Sequence, residues 1–161
     1  MLLPTNPKAI HSLTQKGTYA LILEVVSTRQ LQVGRLGKLL FKSGFYIYVG
    51  SAFGPGGLKA RLNHHLKLAS KHHWHIDYLR QYANVIEIWY TIDPARREQD
   101  WVKSIGSLPT TTTIFPGFGA SDSKDVSHLF MAAKKPDFSS FQRVIKSIPD
   151  HGCVFVSSVS K

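Results

Sequence analysis

Residues 45–49, held between Gly44 and Gly50, are aromatic and β-branched throughout, and that run admits little except a β-strand. Its side chains alternate, so Tyr46 and Tyr48 share one face while Phe45, Ile47 and Val49 share the other. A loop over residues 51–57 follows, carrying Gly54, Pro55, Gly56 and Gly57. Residues 58–69 then read as a helix whose core stripe is Leu58, Leu62 and Leu66. A strand, a turn rich in glycine and a helix in that order anchor the rest of the reading.

The remaining elements fall on either side. Residues 18–26 predict a buried strand, and residues 31–35 and 39–42 two short ones around Gly34 and Gly37. Downstream, 76–82 reads as a short helix and 85–92 as a strand. A helix is expected from Pro94, capped by Asp93, to about residue 105. Four threonines, residues 110–113, lead into a loop with Pro116, Gly117 and Gly119. Residues 129–132 predict a further strand, 136–148 a helix and 154–156 a final strand. This order does not alternate regularly between strand and helix, which argues against a doubly wound nucleotide-binding fold. It suits an α+β domain with a small, mainly antiparallel sheet flanked by helices.

Charge narrows the partner. Twenty Lys and Arg face ten Asp and Glu, a formal net charge of +10 in 161 residues, with a pI near 9.9. Such a field attracts phosphates, whose neutralisation releases counterions; a generally basic, solubilising surface is the competing account. Cys153 is the single cysteine, so no intramolecular disulfide forms. No signal-peptide-like run or membrane span is evident, and a cytoplasmic location is expected.

Several residues have the chemistry for a site. Glu98 falls on the apolar stripe with Trp101, Val102 and Ile105, where an unpaired carboxylate needs a cation or hydrogen-bond donors. A divalent metal would serve; placement at the stripe's edge near a helix N-terminus would also account for it. Arg61, His64 and His65 can share a helix face suited to a phosphate oxygen, or form a solvated basic face. The loop over residues 50–57 fits neither a Walker A motif nor a dinucleotide fingerprint, and a simple turn is its default role. His72, His73, His75 and Asp77 do not converge on a zinc site in a helix; capping or hydrogen bonding suits His75 and Asp77 better.

Gly17-Thr18-Tyr19 and Tyr48-Val49-Gly50 resemble the two halves of the GIY-YIG nuclease signature, with Arg61 and Glu98 matching its helix arginine and metal-binding glutamate. The chain is more closely similar to a poorly characterised branch of that superfamily, a domain of unknown function sometimes fused to DNA-repair glycosylases. The stretches that carry this are 45–52, Arg61 with His64 and His65, 73–79, 117–122 and 127–130. The resemblance covers residues 12–133, leaving 134–161 as a C-terminal extension. Ser123 and Asp125 stand where the branch usually has two cysteines, and Gln99 where a cysteine is common, so a thiol-dependent role is not carried over.

The resemblance implies metal-dependent hydrolysis of phosphodiester bonds in nucleic acid, most naturally DNA, by an endonuclease or structure-specific nuclease. Tyr19, Tyr48, Arg61, His64, His65 and Glu98 would be its catalytic residues. Glu98 would hold one Mg²⁺ or Mn²⁺, Arg61 would stabilise the transition state, and Tyr19 or Tyr48 would orient or deprotonate the attacking water, a task His64 or His65 could share. Lys59, Arg61, Lys67 and Lys71 are the expected nucleic-acid contacts; Gly50, Ser51, His75, Asp77, Asp122 and His128 are expected to support the site. A catalytically idle nucleic-acid-binding domain of the same fold is the alternative, and a protein-interaction module a third. The sequence leaves the oligomeric state open.

Overall fold

The computed structural model describes residue 10 and residues 13–68, 70–120 and 125–159. Asp122, and residue 12 where the resemblance begins, lie outside the described residues. The elements are β1 (Gly17–Val25), β2 (Arg29–Gln32), β3 (Lys38–Phe41), β4 (Gly44–Ala52), α1 (Gly57–Leu66), α2 (His75–Arg80), β5 (Ala83–Thr91), α3 (Glu98–Gly106), β6 (Thr111–Thr113), β7 (Leu129–Ala132), α4 (Phe138–Lys146) and β8 (Phe155–Ser158). Six strands form one sheet in the order β6-β7-β4-β1-β5-β8, with every neighbouring pair antiparallel. β2 and β3 form a separate hairpin. The fold is α+β, as the element order predicts.

The sheet is covered on both faces. That is why β1, at its centre, is apolar nearly throughout and buried along its length except at Glu24. Tyr19, Leu21, Leu23, Tyr46 and Tyr48 pack with Leu58 and Leu62 of α1 and with Ile76 and Leu79 of α2. On the opposite face Ala20, Ile22, Ile47, Val49 and Trp89 pack with Trp101 and Ile105 of α3 and with Phe141 and Ile145 of α4. Trp89 stacks on Phe141 with ring centroids 4.9 Å apart. The alternation expected for residues 45–49 is therefore realised as two cores on one strand.

Three expectations change. The strand placed at 31–35 lies earlier, in β2. Gly34 and Gly37 take positive φ, and a short 3₁₀ turn separates β2 from β3. Among the four threonines, residues 111–113 pair with β7 as the sheet's edge strand β6. The helix expected from Pro94 begins only at Glu98, with Arg97 as its cap. Asp93 explains the delay: one carboxylate oxygen accepts the Ala95 N–H at 2.9 Å, and the other accepts Arg97 Nε at 2.9 Å and the Gly152 N–H at 2.8 Å. A carboxylate spent on a local turn and a distant backbone N–H cannot cap a helix at its own position.

The same contacts tie in the C-terminal segment. Arg97 donates to the Asp150 carbonyl at 2.8 Å, Thr91 Oγ1 to the Cys153 carbonyl at 2.8 Å, and Trp101 Nε1 to His151 Nε2 at 3.0 Å. β8 then pairs with β5, so residues beyond 133 supply both a helix and a strand to this sheet.

Burial alone would raise the Asp93 carboxyl, but the N–H groups of Gly152 and Ala95 and the Arg97 guanidinium outweigh it and hold it below the ordinary value. A lowered carboxylate stabilises the fold above its unfolded pKa, and the contribution is lost as pH falls through the folded value. Asp93→Asn is therefore expected to cost about 1–3 kcal/mol at neutral pH. In urea melts the gap from wild type should narrow below roughly pH 4; a gap independent of pH would contradict the role assigned to the charge.

Candidate active site at the free end of β4

β7 pairs with β4 only over Phe45 to Tyr48. One further hydrogen bond, Val49 N–H to the His128 carbonyl at 3.0 Å, ends the contact. Gly50, Ser51 and Ala52 run on beside β1 alone, with loop on their other side. Here a cavity of about 950 Å³ opens, lined by Tyr48, Gly50, Ser51, Arg61, His73, Trp74, His75, Arg96, Glu98, Gln99, Asp100, Gly119, Asp125 and His128. Side chains from both faces of the sheet meet around the uncovered strand. Tyr48 and Arg61 arrive from the α1 side. Glu98 arrives from α3, whose body packs on the opposite face.

Two glycines make the approach possible. Gly50 lies directly opposite Tyr19 in the register, and a Cβ there would overlap the Tyr19 phenol. Gly119 has φ of +68°, and a Cβ there would crowd Tyr48 and His128; its N–H donates to His75 Nδ1 at 2.8 Å. His75 thus holds the loop that closes the cavity, in keeping with a hydrogen-bonding role.

Glu98 is the first residue of α3, with 27% of its side chain exposed. It lies at the start of the helix and faces the cavity. Its Oε1 is 2.7 Å from His128 Nδ1. The other imidazole nitrogen, Nε2, is 3.0 Å from Asp125 Oδ2, so His128 bridges two carboxylates. Burial would raise the Glu98 carboxyl, but His128 and Ser51 outweigh it and hold it below the usual range. Burial would lower His128, but Glu98 and Asp125 raise it. The cation or hydrogen-bond donor that Glu98 needs is supplied, in this arrangement, by the His128 imidazole, with Ser51 beside it.

The expected catalytic cluster divides into a front and a back. Tyr48, Arg61 and Glu98 line the cavity together with Gly50, Ser51, His75 and His128. Tyr19 is fully buried behind it, hydrogen-bonded to His65 Nε2 at 2.6 Å. His65 is 1% exposed and its Nδ1 has no partner. Burial, with His64 close by, lowers the His65 pKa to about 3, so it stays neutral. His64 points to Asp77, its Nε2 2.9 Å from Oδ1. Asp77 also accepts the N–H groups of His73 and Trp74, at 2.9 and 3.0 Å, which starts α2. Lys59, Lys67 and Lys71 are exposed and lie outside the cavity wall.

Both tyrosines have the wrong shift for a base. Burial raises Tyr19 and Tyr48, and neighbouring Arg61 offsets only part of it. Without a further cation close by they are phenols, which orient a water or an oxygen by hydrogen bonding. The glycine loop is a turn, as its default reading held. The N–H groups of Leu58 and Lys59 at the start of α1 are taken by the carbonyls of Gln15 and Leu13, at 2.9 and 2.5 Å, and those of Gly57 and Ala60 by Gly54 and Gly56, so the first turn of the helix is internally satisfied.

Two donor sets could hold a cation. Glu98 and Asp125 are hard oxygen donors on the cavity wall. His64, His65 and Asp77 each offer a ligand atom within 4.8 Å of the others, a nitrogen-rich set. Sequence reasoning passed over Arg96, Trp74 and Asp125 as site residues. For Arg96 no signal existed: Arg96 and Arg97 both stand three or four residues from Asp93 and from Asp100, so spacing does not say which of them pairs, and the structure gives that role to Arg97.

Gly50→Ala is expected to push the Tyr19 ring from its seat against His65 and cost about 1–3 kcal/mol, read as a lowered Tm. Gly54, with open space around it, should tolerate alanine, and an equal loss at both sites would dismiss the steric account.

A family model, the domain of unknown function DUF123, matches residues 18–149. No curated protein and no solved structure matches the chain. The family match spans most of the sequence, including β4, the cavity and α4, and the chain belongs to the DUF123 family.

Proposed function

We propose that this protein is a GIY-YIG-type phosphodiesterase that cleaves nucleic acid, most naturally DNA, with the help of a divalent metal. The observation that carries the reading is the meeting of Tyr48, Arg61 and Glu98 in one cavity, although they come from a strand and two helices on opposite faces of the sheet. The net charge of +10 supplies the long-range attraction for a polyanion.

A hard cation fits Glu98. Its carboxylate is held ionised, reaches the cavity, and has a second hard oxygen donor, Asp125, on the same wall. When bound there, Mg²⁺ or Mn²⁺ would polarise the phosphate and lower the pKa of a bound water. The nitrogen-rich set behind the cavity suits a softer ion and is not assigned this role.

The protein's own residues do the rest. Arg61 lies over the Trp74 ring at 4.1 Å and hydrogen-bonds the Tyr19 hydroxyl, which together fix the guanidinium plane; its remaining N–H groups would serve phosphate oxygens as negative charge builds up. Tyr48 stays a phenol and holds a water or a phosphate oxygen by hydrogen bonding. Tyr19 and His65 form the floor that keeps Tyr48 and Arg61 in place. His128 and Ser51 hold the Glu98 carboxylate toward the cavity.

The Glu98–His128 pair also favours a second reading, a binding domain that no longer recruits a metal because the carboxylate is already neutralised. One set of variants separates the two. Under the first reading, wild type cleaves labelled single-stranded, duplex or branched DNA only with Mg²⁺ or Mn²⁺. Glu98→Gln abolishes cleavage while keeping Tm and binding, and Arg61→Ala lowers kcat about 10²–10³-fold. DNA bound with steep salt dependence but never cut supports the second; full cleavage by Glu98→Gln removes the metal role of that residue.

A further inference from the structure

Arg96 and Arg97 are adjacent in sequence and opposite in fate. Arg97 is consumed internally, by Asp93 at 2.9 Å, Asp100 at 3.3 Å and the Asp150 carbonyl. Arg96 is exposed, has no carboxylate within ion-pair distance among the described residues, and lines the cavity. Its guanidinium lies 4.6 Å from the centroid of the Phe53 ring, just beyond the end of β4. The cavity therefore holds two arginines, each stacked on an aromatic ring, Arg61 on Trp74 at 4.1 Å and Arg96 on Phe53. They come from different elements, the α1 helix and the turn before α3.

Stacking has a chemical consequence. It removes one face of the guanidinium from water and restricts its orientation, while it engages none of the in-plane N–H donors. A planar donor fork without a carboxylate partner, held at the wall of a basic protein's cavity, matches the oxygens of a phosphate, and two such forks in one cavity suit a chain that carries a charge on every unit. The cavity volume of about 950 Å³ stands at the top of the range for drug-sized ligands, roughly 300–1,000 Å³, which leaves room for more than one phosphate unit.

We propose that Arg96 is a second phosphate-binding residue, gripping a further phosphate on the strand whose scissile phosphate is held by Arg61. This rests on the nucleic-acid reading of the cavity and extends it, because it sets the minimum ligand: a segment with two phosphates, with Arg61 and Arg96 fixing its course past Glu98. Phe53 and Trp74 hold the arginines, and the lysines outside the cavity add only to the general field.

The test is fluorescence anisotropy with a short labelled single-stranded oligonucleotide in the absence of divalent metal, where no cleavage intervenes. Arg96→Ala should weaken binding about tenfold and reduce the slope of log K against log salt by about one. Arg96→Lys, which keeps the charge and loses the planar fork, should fall between. A dinucleoside monophosphate, with one phosphate, should compete equally against wild type and Arg96→Ala. Arg143→Ala removes the same charge from the exposed face of α4 and is the control. Equal losses in Arg143→Ala and Arg96→Ala would reduce Arg96 to part of a diffuse field and overturn the proposal, as would unchanged affinity and slope in Arg96→Ala. The proposed activity is judged separately: if wild type cuts nothing with Mg²⁺ or Mn²⁺ and the Arg96 loss is still seen, the enzyme reading fails and the subsite stands. If cleavage occurs and Arg96→Ala binds as wild type, the subsite alone falls.

Discussion

Strand β4 outruns its neighbour, and the site exists because of that mismatch. β1 accompanies β4 to Ala52, whereas β7 stops pairing at Tyr48. A sheet with helices on both faces ordinarily keeps their side chains apart by its own thickness. Where one neighbour ends, Gly119, Asp125 and His128 stand at the cavity wall in place of a paired strand, and side chains from the two faces meet across the strand end. Glu98 from one side and Arg61 from the other thereby share a wall with Tyr48. Gly50 is the point of closest packing, since its missing side chain is the space occupied by the Tyr19 phenol.

Burial then sorts the ionisable groups. Tyr19 and His65 lie deepest, and desolvation holds both in their neutral forms, one raised and the other lowered. They contribute hydrogen bonding and shape. Groups at the cavity wall keep charge because partners offset desolvation: Glu98 through His128 and Ser51, His128 through two carboxylates. The outcome is a neutral floor behind a cavity wall that carries both carboxylates and aromatic-stacked arginines. Such an arrangement would separate the holding of a phosphate by the arginines from any chemistry at the carboxylates.

Much of this was legible in the residues themselves. The alternation of residues 45–49 predicts the two faces of β4, and the leucine stripe of residues 58–69 predicts how α1 sits. Glu98 stood out because a carboxylate on an apolar stripe needs a partner, and a partner is what it has. Its identity was not legible, because His128 is thirty residues away across a loop whose path no local pattern specifies. The start of α3 was misread for a similar reason. Asp93 has the chemistry of an N-cap, but Gly152 and Arg97 claim its oxygens first, and a contact with residue 152 leaves no trace near residue 93. The division of His64 and His65 is a matter of angle: successive helix residues point about 100° apart, so His64 reaches Asp77 while His65 turns inward to Tyr19; Arg61, one turn before His65, shares its side of the helix and lines the cavity.

The balance between a hydrolase and a binding domain comes down to one competition. Glu98 can be neutralised by a protonated His128 or by a dication. The imidazole is already in place at 2.7 Å and has a second carboxylate on its far side, and the two carboxylates favour its protonated form. A dication brings twice the charge but must give up tightly held water to bind an oxygen already engaged in a hydrogen bond. Phosphate changes the terms. An anion held by Arg61 beside Glu98 raises the local negative charge that a dication would offset and that a single imidazolium, shared between two carboxylates, offsets less well. By linkage, a phosphate held at the arginines would strengthen metal binding at the carboxylate, and the reverse. Metal and nucleic acid would then bind as one cooperative event, with the stacked arginines tuning how readily Glu98 exchanges His128 for a metal.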